Sequence, residues 1–152
     1  MDDTDFLKKI SFFKDLTTGD LLKIRLLAEN TACQAEDQIM EEGTECDAIY
    51  IIKDGTARVL ISGSHVETVG PGDVIGEVAF IDKGLRTATL VANENMSLLK
   101  IPSDAFEQIM SRDKDLAVKV YKAIIVVLCK RLRDANEALK IIPDYIKDSY
   151  NI

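Results

Sequence analysis

One stretch of this sequence places residues of complementary chemistry around a short loop. It begins at Gly76-Glu77 and ends at Arg86-Thr87, so a carboxylate and a guanidinium stand nine positions apart. The guanidinium of Arg86 is a planar fork of donors that suits two phosphate oxygens. Glu77 only accepts hydrogen bonds, which suits a sugar hydroxyl, and Gly76 lets a ligand approach the backbone closely. The loop is therefore complementary to a ligand that carries a phosphate and a sugar hydroxyl close together.

The residues between these two ends favour a single helical turn. Val78 to Ile81 have a helix-compatible composition, and the first turn of a helix leaves amide protons without a partner inside the helix. Such amides bind phosphate without many cations. With the Thr87 hydroxyl as one more donor, the loop predicts a site for a singly charged phosphate, such as that of a cyclic nucleotide.

The segment that carries this loop, residues 31–102, has the pattern of a β domain. Short β-rich runs alternate with turn residues, and the Asp54-Gly55 pair is a strong hairpin signal because Gly tolerates the positive φ of a tight turn. Many short strands at such intervals predict a sandwich or a barrel. The predicted strands cover residues 38–40, 48–52, 57–61, 66–69, 87–92 and 97–101.

Helical patterns flank the β segment on both sides. Residues 3–29 predict two short helices, with Thr18 as the cap of the second. Residues 103–142 predict a helix that Ser103 caps and a longer helix over 114–139, which Pro143 ends. The chain thus divides into an N-terminal helical segment (1–30), a β core (31–102), C-terminal helices (103–142) and a tail (143–152).

The later part of the long helix carries an apolar stripe at alternating spacings of four and three residues. Such a stripe either packs on the helix's own barrel or pairs with a second chain, and the spacing alone leaves both open. Its members are Leu128, Leu132, Ala135, Leu139 and Ile142.

The motif Gly76-Glu77-x-Ala79, followed after six residues by Arg86-Thr87-Ala88, resembles the phosphate-binding cassette of cyclic nucleotide-binding domains. The similarity continues upstream through Gly43, the run 49–52, Gly55 and the turn 70–73. The resemblance implies a mainly β fold, a β jelly roll (double-stranded β-helix), with N-terminal helices and a C-terminal helix that acts as a lid or in dimerisation.

The resemblance also implies a role for individual residues. Glu77 would accept a hydrogen bond from the ribose 2′-OH, and Arg86 would bind the equatorial phosphate oxygen. The remaining ligand-binding residues implied are Gly76, the Thr87 hydroxyl, the backbone amides of Val78, Ala79 and Ala88, the sugar and base contacts Val59 and Val66, and Asn136, which would cap the purine. The implied function is a receptor for cyclic AMP, or less favourably cyclic GMP, in which binding closes the C-terminal helix as a switch.

Two other classes of function stay open. The same jelly roll could serve as a ligand-free interaction module that retains the cassette as a remnant. A small β-barrel enzyme is disfavoured because His65 is the only histidine and no nucleophile stands with a base. We therefore expect no catalytic residue, no metal site and no catalytic cofactor. The expected partners are the cyclic nucleotide and either a second copy, through the C-terminal helix, or an effector protein.

Charge and composition disfavour several other kinds of partner. Nineteen Lys and Arg against twenty-six Asp and Glu give a net charge of −7, which disfavours binding to DNA or to an anionic membrane by charge alone. The longest apolar run, residues 123–129, is far shorter than the roughly 20 residues that span a bilayer. Three cysteines cannot all pair and have no metal-site spacing, so we expect reduced thiols and a cytoplasmic protein.

Overall fold

Eight antiparallel strands form two four-stranded sheets, with helices at both ends of the chain. In the computed structural model, which describes residues 2–150, the first sheet has the order β1-β8-β3-β6 and the second β2-β7-β4-β5. The strands are β1 (Glu29–Cys33), β2 (Gln38–Met40), β3 (Ala48–Asp54), β4 (Ala57–Ile61), β5 (Ser64–Val69), β6 (Val74–Ile75), β7 (Thr89–Ala92) and β8 (Met96–Pro102). This confirms the predicted mainly β jelly roll with flanking helices.

Six α-helices complete the described part of the chain. They are α1 (Asp3–Lys8), α2 (Thr18–Leu27), α3 (Glu77–Asp82), α4 (Ser103–Arg112), α5 (Lys114–Lys140) and α6 (Asp144–Tyr150), and a 3-10 turn at Ser11–Phe13 lies between the first two. The long helix matches its prediction to within one residue at its end. Helix α6 falls in the tail, where the sequence carries no clear signal; residues 1, 151 and 152 lie outside the described part.

Strand β3 lies at the centre of the fold because both of its faces are buried. Ile49 and Ile51 face the helices and pack with residues of α1, α2, α4 and α5. The alternate residues Ala48, Tyr50 and Ile52 face the second sheet and form the core between the two sheets. The period of two in a strand therefore divides one apolar run between two cores.

Two predicted helix caps differ from the structure. Thr17, not Thr18, caps α2: its hydroxyl accepts the amide proton of Asp20, whose carboxylate in turn accepts the amide proton of Thr17. This reciprocal pair is a capping box, which needs an acidic residue three positions after the cap and so selects Thr17. Ser103 is the first residue of α4 and makes no capping bond, since Pro102 takes the cap position and the Ser103 hydroxyl lies 3.4 Å from Cys46 Sγ.

Candidate functional site

The loop between β6 and β7 folds as predicted into one short helix, α3, which begins at Glu77. Gly76 precedes it with a φ of 92°, a conformation that glycine adopts without strain. A Cβ at Gly76 would collide with Nη1 of Arg86. The sequence therefore needs glycine here both for the turn and for the approach of the Arg86 side chain.

Contacts at both ends hold the loop in place. At its start, β6 pairs with β3, with Ile75 opposite Tyr50. At its end, the Arg86 amide donates to the carbonyl of Thr44 at 2.7 Å, and the Arg86 carbonyl accepts from the amide of Gly43 at 2.9 Å. In the middle, the ring of Phe80 stacks on Phe106 of α4 with 5.4 Å between centroids. The loop is thus fixed to the sheet at its ends and to the C-terminal helices at its centre.

Glu77 is a buried carboxylate whose ion-pair partner is Arg131. The residue is 1% exposed, and neither carboxylate oxygen makes a well-formed hydrogen bond with a described residue. Nη1 of Arg131, which α5 supplies, lies 2.7 Å from Glu77 Oε1 and forms an ion pair with it. Burial raises the pKa of Glu77, and the charge of Glu67 adds to this rise, while the charge of Arg131 and the backbone amides of Glu77 and Gly76 oppose it.

Arg86 is equally buried but has partners within the protein. The residue is 3% exposed, and its Nη2 donates to the carbonyl of Ala48 at 2.6 Å and to Asp47 Oδ1 at 3.0 Å. Its Nη1 donates to the carbonyl of Gly76 at 3.3 Å. Asp47 also lies 3.3 Å from Lys100. Burial works to raise the pKa of Asp47, but the hydrogen bond and charge of Lys100, together with the hydrogen bond of Arg86, outweigh it and lower that pKa.

The two charged residues converge on one turn without pairing with each other. Arg86 binds the carbonyl of Gly76, the residue before Glu77, while Glu77 faces Arg131 and Arg86 faces Asp47. A cavity of about 360 Å³ opens at Arg86. Its other lining residues are Gln38, Ile39, Met40, Glu41, Thr44, Glu45, Asp47 and Tyr50.

The other predicted ligand residues lie in different settings. Thr87 is exposed, Ala79 and Ala88 are buried, and Val78 is half-buried. Val59 packs against the core between the sheets. These positions agree with a cassette around Gly76, and their contact with a ligand stays a prediction.

Val66 and Asn136 stand apart from this group. Val66 is 55% exposed and is the extra residue of a bulge in β5, so Glu67, not Val66, stands opposite Val59 on β4. Asn136 is exposed on α5, five positions after Arg131 and so about 140° around the helix from it. A role for either residue in binding stays a prediction.

Sequence reasoning does not predict Asp47 and Glu67, and it does not predict that Arg131 pairs with Glu77: the pattern favours a solvated helix face, with the approach of one arginine to a ligand phosphate or a partner as the alternative. Arg131 lies in a basic cluster with Lys130 and Arg133, a pattern more typical of a solvated helix face. Asp47 is separated from Arg86 by 39 positions in a polar loop. Only the register of β5 against β4 could single out Glu67. Each is placed by long-range packing that leaves no local signal.

No described helix is long and apolar enough to cross a membrane, and no group of three or more His, Cys, Asp or Glu among the described residues could hold a metal ion. Cys33, Cys46 and Cys129 are free thiols.

Comparisons with known proteins identify relatives in sequence and in fold. The isozyme 2 cGMP-dependent protein kinase of Drosophila melanogaster is 34% identical over 116 residues, which are 71% of this chain and 12% of the kinase. A cyclic nucleotide-binding domain from Methylobacillus flagellatus superposes with a TM-score of 0.79 at 24% identity, covering 92% of this chain and 83% of that one. The regulatory domain of Toxoplasma gondii protein kinase A, solved with cyclic AMP, gives a TM-score of 0.64 at 28% identity, covering 70% and 42%.

The family model for the cyclic nucleotide-binding domain matches residues 31–113, more than half of the chain. This span contains both sheets except the first two residues of β1, the whole loop from Gly76 to Arg86, and α4. The chain belongs to the cyclic nucleotide-binding domain family.

Proposed function

We propose that this chain is a cytoplasmic receptor module for a purine cyclic nucleotide, which it binds without turning it over. The observation that carries the proposal is Glu77, a carboxylate that is 1% exposed and whose oxygens make no well-formed hydrogen bond with a described residue, although Arg131 forms an ion pair with one of them. A buried acceptor left without a donor costs free energy, so such groups mark places where a ligand supplies the missing donor. A ribose 2′-OH is such a donor, and it lies next to the phosphate in a 3′,5′-cyclic nucleotide.

Arg86 supplies the complementary charge for the phosphate. A guanidinium has five N–H donors, and the three hydrogen bonds to Gly76, Ala48 and Asp47 occupy at most three of them. The rest are available to a phosphate oxygen. We assign the remainder of the cradle to the Thr87 hydroxyl and to the backbone amides of Val78, Ala79 and Ala88.

Binding at Glu77 would also act on the C-terminal helices. The Glu77 carboxylate, which would accept a hydrogen bond from the ribose hydroxyl, forms an ion pair with Arg131 of α5. The ligand and the helix would therefore compete for this carboxylate or share it. The stack of Phe80 on Phe106 and the ion pair of Lys83 with Glu107 give the cassette a second link to α4. We propose that the ligand shifts the position of α5 through these links, which is the switch.

Cyclic AMP is the proposed ligand over cyclic GMP. Glu67 stands opposite Val59 on β4 and is close enough to Glu77 for its charge to raise the pKa of that residue. An acceptor-only carboxylate favours the 6-amino donor of adenine and disfavours the 6-oxo acceptor of guanine. Thr87 works in the other direction, since its hydroxyl oxygen can accept a hydrogen bond from the 2-amino group of guanine. Glu67→Gln should therefore lower the ratio of the affinity for cyclic AMP to the affinity for cyclic GMP, which calorimetry measures.

One observation favours the second candidate, a ligand-free interaction module. Arg86 already has protein partners, as an arginine retained for structure alone would. Under that alternative no nucleotide changes the melting temperature, and the exposed surfaces of the domain carry its function.

Calorimetry and thermal melts with cyclic AMP, cyclic GMP and the linear monophosphates AMP and GMP separate the two candidates. At a hundredfold excess over Kd, a bound cyclic nucleotide adds about 2.7 kcal/mol to the free energy of unfolding. Glu77→Gln and Arg86→Lys should each weaken this effect. Arg58→Gln is the control, because Arg58 pairs with Glu36 at the surface. No binding heat and no melting shift at millimolar cyclic nucleotide would overturn the proposal.

A further inference from the structure

The tip of the β4–β5 hairpin is a strained two-residue turn. Ser62 and Gly63 connect Ile61 of β4 to Ser64 of β5, and the two turn residues have positive φ angles of 50° and 80°. Two positive φ angles in a two-residue hairpin loop are typical of a type I′ turn. Because serine rarely adopts this left-handed conformation, contacts from outside the hairpin must help to hold the turn.

Glu42 supplies such a contact from the loop between β2 and β3. The Ser62 amide donates to Glu42 Oε2 at 2.8 Å, across 20 positions of the chain. The Glu42 backbone amide donates to the Thr89 hydroxyl at 3.0 Å, where β7 begins. Glu42 therefore reaches from the end of β2 over the start of β7 to the end of β4, three neighbouring strands of one sheet.

The residues that follow Glu42 hold the end of the cassette. The Gly43 amide donates to the Arg86 carbonyl, and the Arg86 amide donates to the Thr44 carbonyl. The segment 42–44 thus bonds to two parts of the proposed site. One is the residue that would bind the phosphate, and the other is the tip of the β4–β5 hairpin.

The β4–β5 hairpin carries residues that the proposed function assigns to the sugar and the base. Val59 of β4 stands opposite Glu67 of β5, and Glu67 is the group proposed to favour adenine. Strand β5 is an edge strand that pairs with β4 alone, it contains a bulge, and five of its six residues are exposed. The position of Glu67 therefore depends strongly on how the hairpin is held, since no second strand fixes it.

We infer that Glu42 is a positioning residue for purine selectivity. Its hydrogen bond to Ser62 fixes the hairpin relative to Arg86, and so fixes the distance between the groups that bind the base and the phosphate of one ligand. Glu42 acts through Ser62 and does not itself contact the ligand. The inference rests on the proposed receptor function, because the selectivity that it explains is that of the bound nucleotide.

Hydrogen exchange of the full chain tests the contact without a ligand. The Ser62 amide lies at an exposed tip, so without its acceptor it should exchange with solvent almost as fast as in an unfolded chain. The wild-type chain and Glu42→Gln, which keeps an acceptor oxygen, should protect this amide about fivefold more than Glu42→Ala, as one hydrogen bond provides. Equal exchange of the Ser62 amide in the wild-type chain and in Glu42→Ala would overturn the inference.

Calorimetry tests the selectivity with cyclic AMP, cyclic GMP and purine riboside 3′,5′-cyclic monophosphate, which has the same ring system without a 6-substituent. Glu42→Ala should lower the ratio of the affinity for cyclic AMP to the affinity for cyclic GMP by about two- to tenfold, the range that one hydrogen bond contributes. Its affinity for the purine riboside compound should stay within about twofold of the wild-type value.

Two further variants serve as controls for the affinity ratio. Glu42→Gln should keep the wild-type ratio, because the amide oxygen can still accept from Ser62. Asp37→Ala should also keep it. Asp37 likewise accepts a backbone amide, that of Gln34 at 2.8 Å, but this bond stays within its own turn and does not reach the hairpin.

The outcomes distinguish a failure of this inference from a failure of the proposed function. If the wild-type chain binds the cyclic nucleotides and Glu42→Ala keeps the affinity ratio, or weakens all three ligands equally, then Glu42 does not set the selectivity and only this inference fails. If the wild-type chain binds none of the three ligands, the proposed receptor function fails and this inference fails with it.

Discussion

The two ends of the cassette bury opposite charges to the same extent and treat them in opposite ways. Arg86 donates to two backbone carbonyls and a carboxylate, so its charge is part of the framework. Glu77 forms an ion pair with Arg131, but its buried oxygens make no well-formed hydrogen bond with a described residue. A buried group with partners stabilises the fold, and one without them lowers its stability unless a ligand binds.

This difference separates folding from binding within one loop. The Arg86 end connects β3, the loop at Gly43 and the turn at Gly76, and it would keep its geometry before a ligand arrives. The Glu77 end retains an unused acceptor, so much of the free energy from a ligand's donor would be gained there. Variants at the two ends should therefore move stability in opposite directions.

Replacing Arg86 should have the largest effect on stability. Arg86→Met keeps much of the side-chain volume but removes the guanidinium donor from the carbonyls of Ala48 and Gly76, which keep only longer contacts with Cys46 Sγ and the Phe80 amide. We expect the free energy of unfolding to fall by about 2–4 kcal/mol, because buried acceptors lose their charged donor. Urea denaturation measures the change.

A surface arginine gives the matched control for that variant. Arg58 forms an ion pair with Glu36, which is 70% exposed, so Arg58→Met should cost less than about 1 kcal/mol. If Arg86→Met costs no more than Arg58→Met, then Arg86 is not part of the framework and the contrast between the two ends fails.

Replacing Glu77 should have a smaller effect of the opposite sign. Glu77→Gln removes a buried charge while keeping the shape, so the unliganded chain should gain about 1 kcal/mol at pH 7, and its affinity for cyclic nucleotide should fall. Glu41→Gln, at an exposed carboxylate, should change the stability by less than about 0.5 kcal/mol.

The stability gain of Glu77→Gln should depend on pH. Burial raises the pKa of Glu77 in the folded chain above the usual value near 4.3, so the folded state binds its proton more tightly than the unfolded state. The stability that this proton provides is present below the unfolded pKa and is lost as the pH rises through the folded pKa. The advantage of the variant should accordingly grow between pH 4 and pH 7, and an advantage that shrinks over this range would contradict the raised pKa.

The same contrast explains what the sequence could predict. Gly76, Glu77 and Arg86 lie in one local loop, where residue types and spacing carry the signal. The partners that distinguish the two ends come from far along the chain: Asp47 lies 39 positions from Arg86, and Arg131 lies 54 positions after Glu77. The sequence therefore predicts the charged groups of the site but not which of them has partners within the protein.

The strands missed by sequence reasoning have a similar physical origin. Strand β1 is a polar edge strand whose residues are exposed or half-exposed, so it lacks the alternation that marks a half-buried strand. Strand β6 has two residues and is held by its pairing with β3. Both exist because a neighbouring strand offers its backbone groups, which leaves no pattern in their own side chains.

Replacing Arg131 should have the smallest effect on stability and the sharpest effect on one pKa. Its side chain is 42% exposed, so Arg131→Met should change the free energy of unfolding by less than about 1 kcal/mol. Because the charge of Arg131 lowers the pKa of Glu77 against the effect of burial, its removal should raise that pKa further, which NMR titration of the Glu77 carboxyl carbon measures. Arg133→Met is the control, two positions later on the exposed surface of α5. If both variants give the same Glu77 titration, α5 does not reach the cassette in solution, and the Glu77 end of the loop has no link through Arg131 to the C-terminal helix.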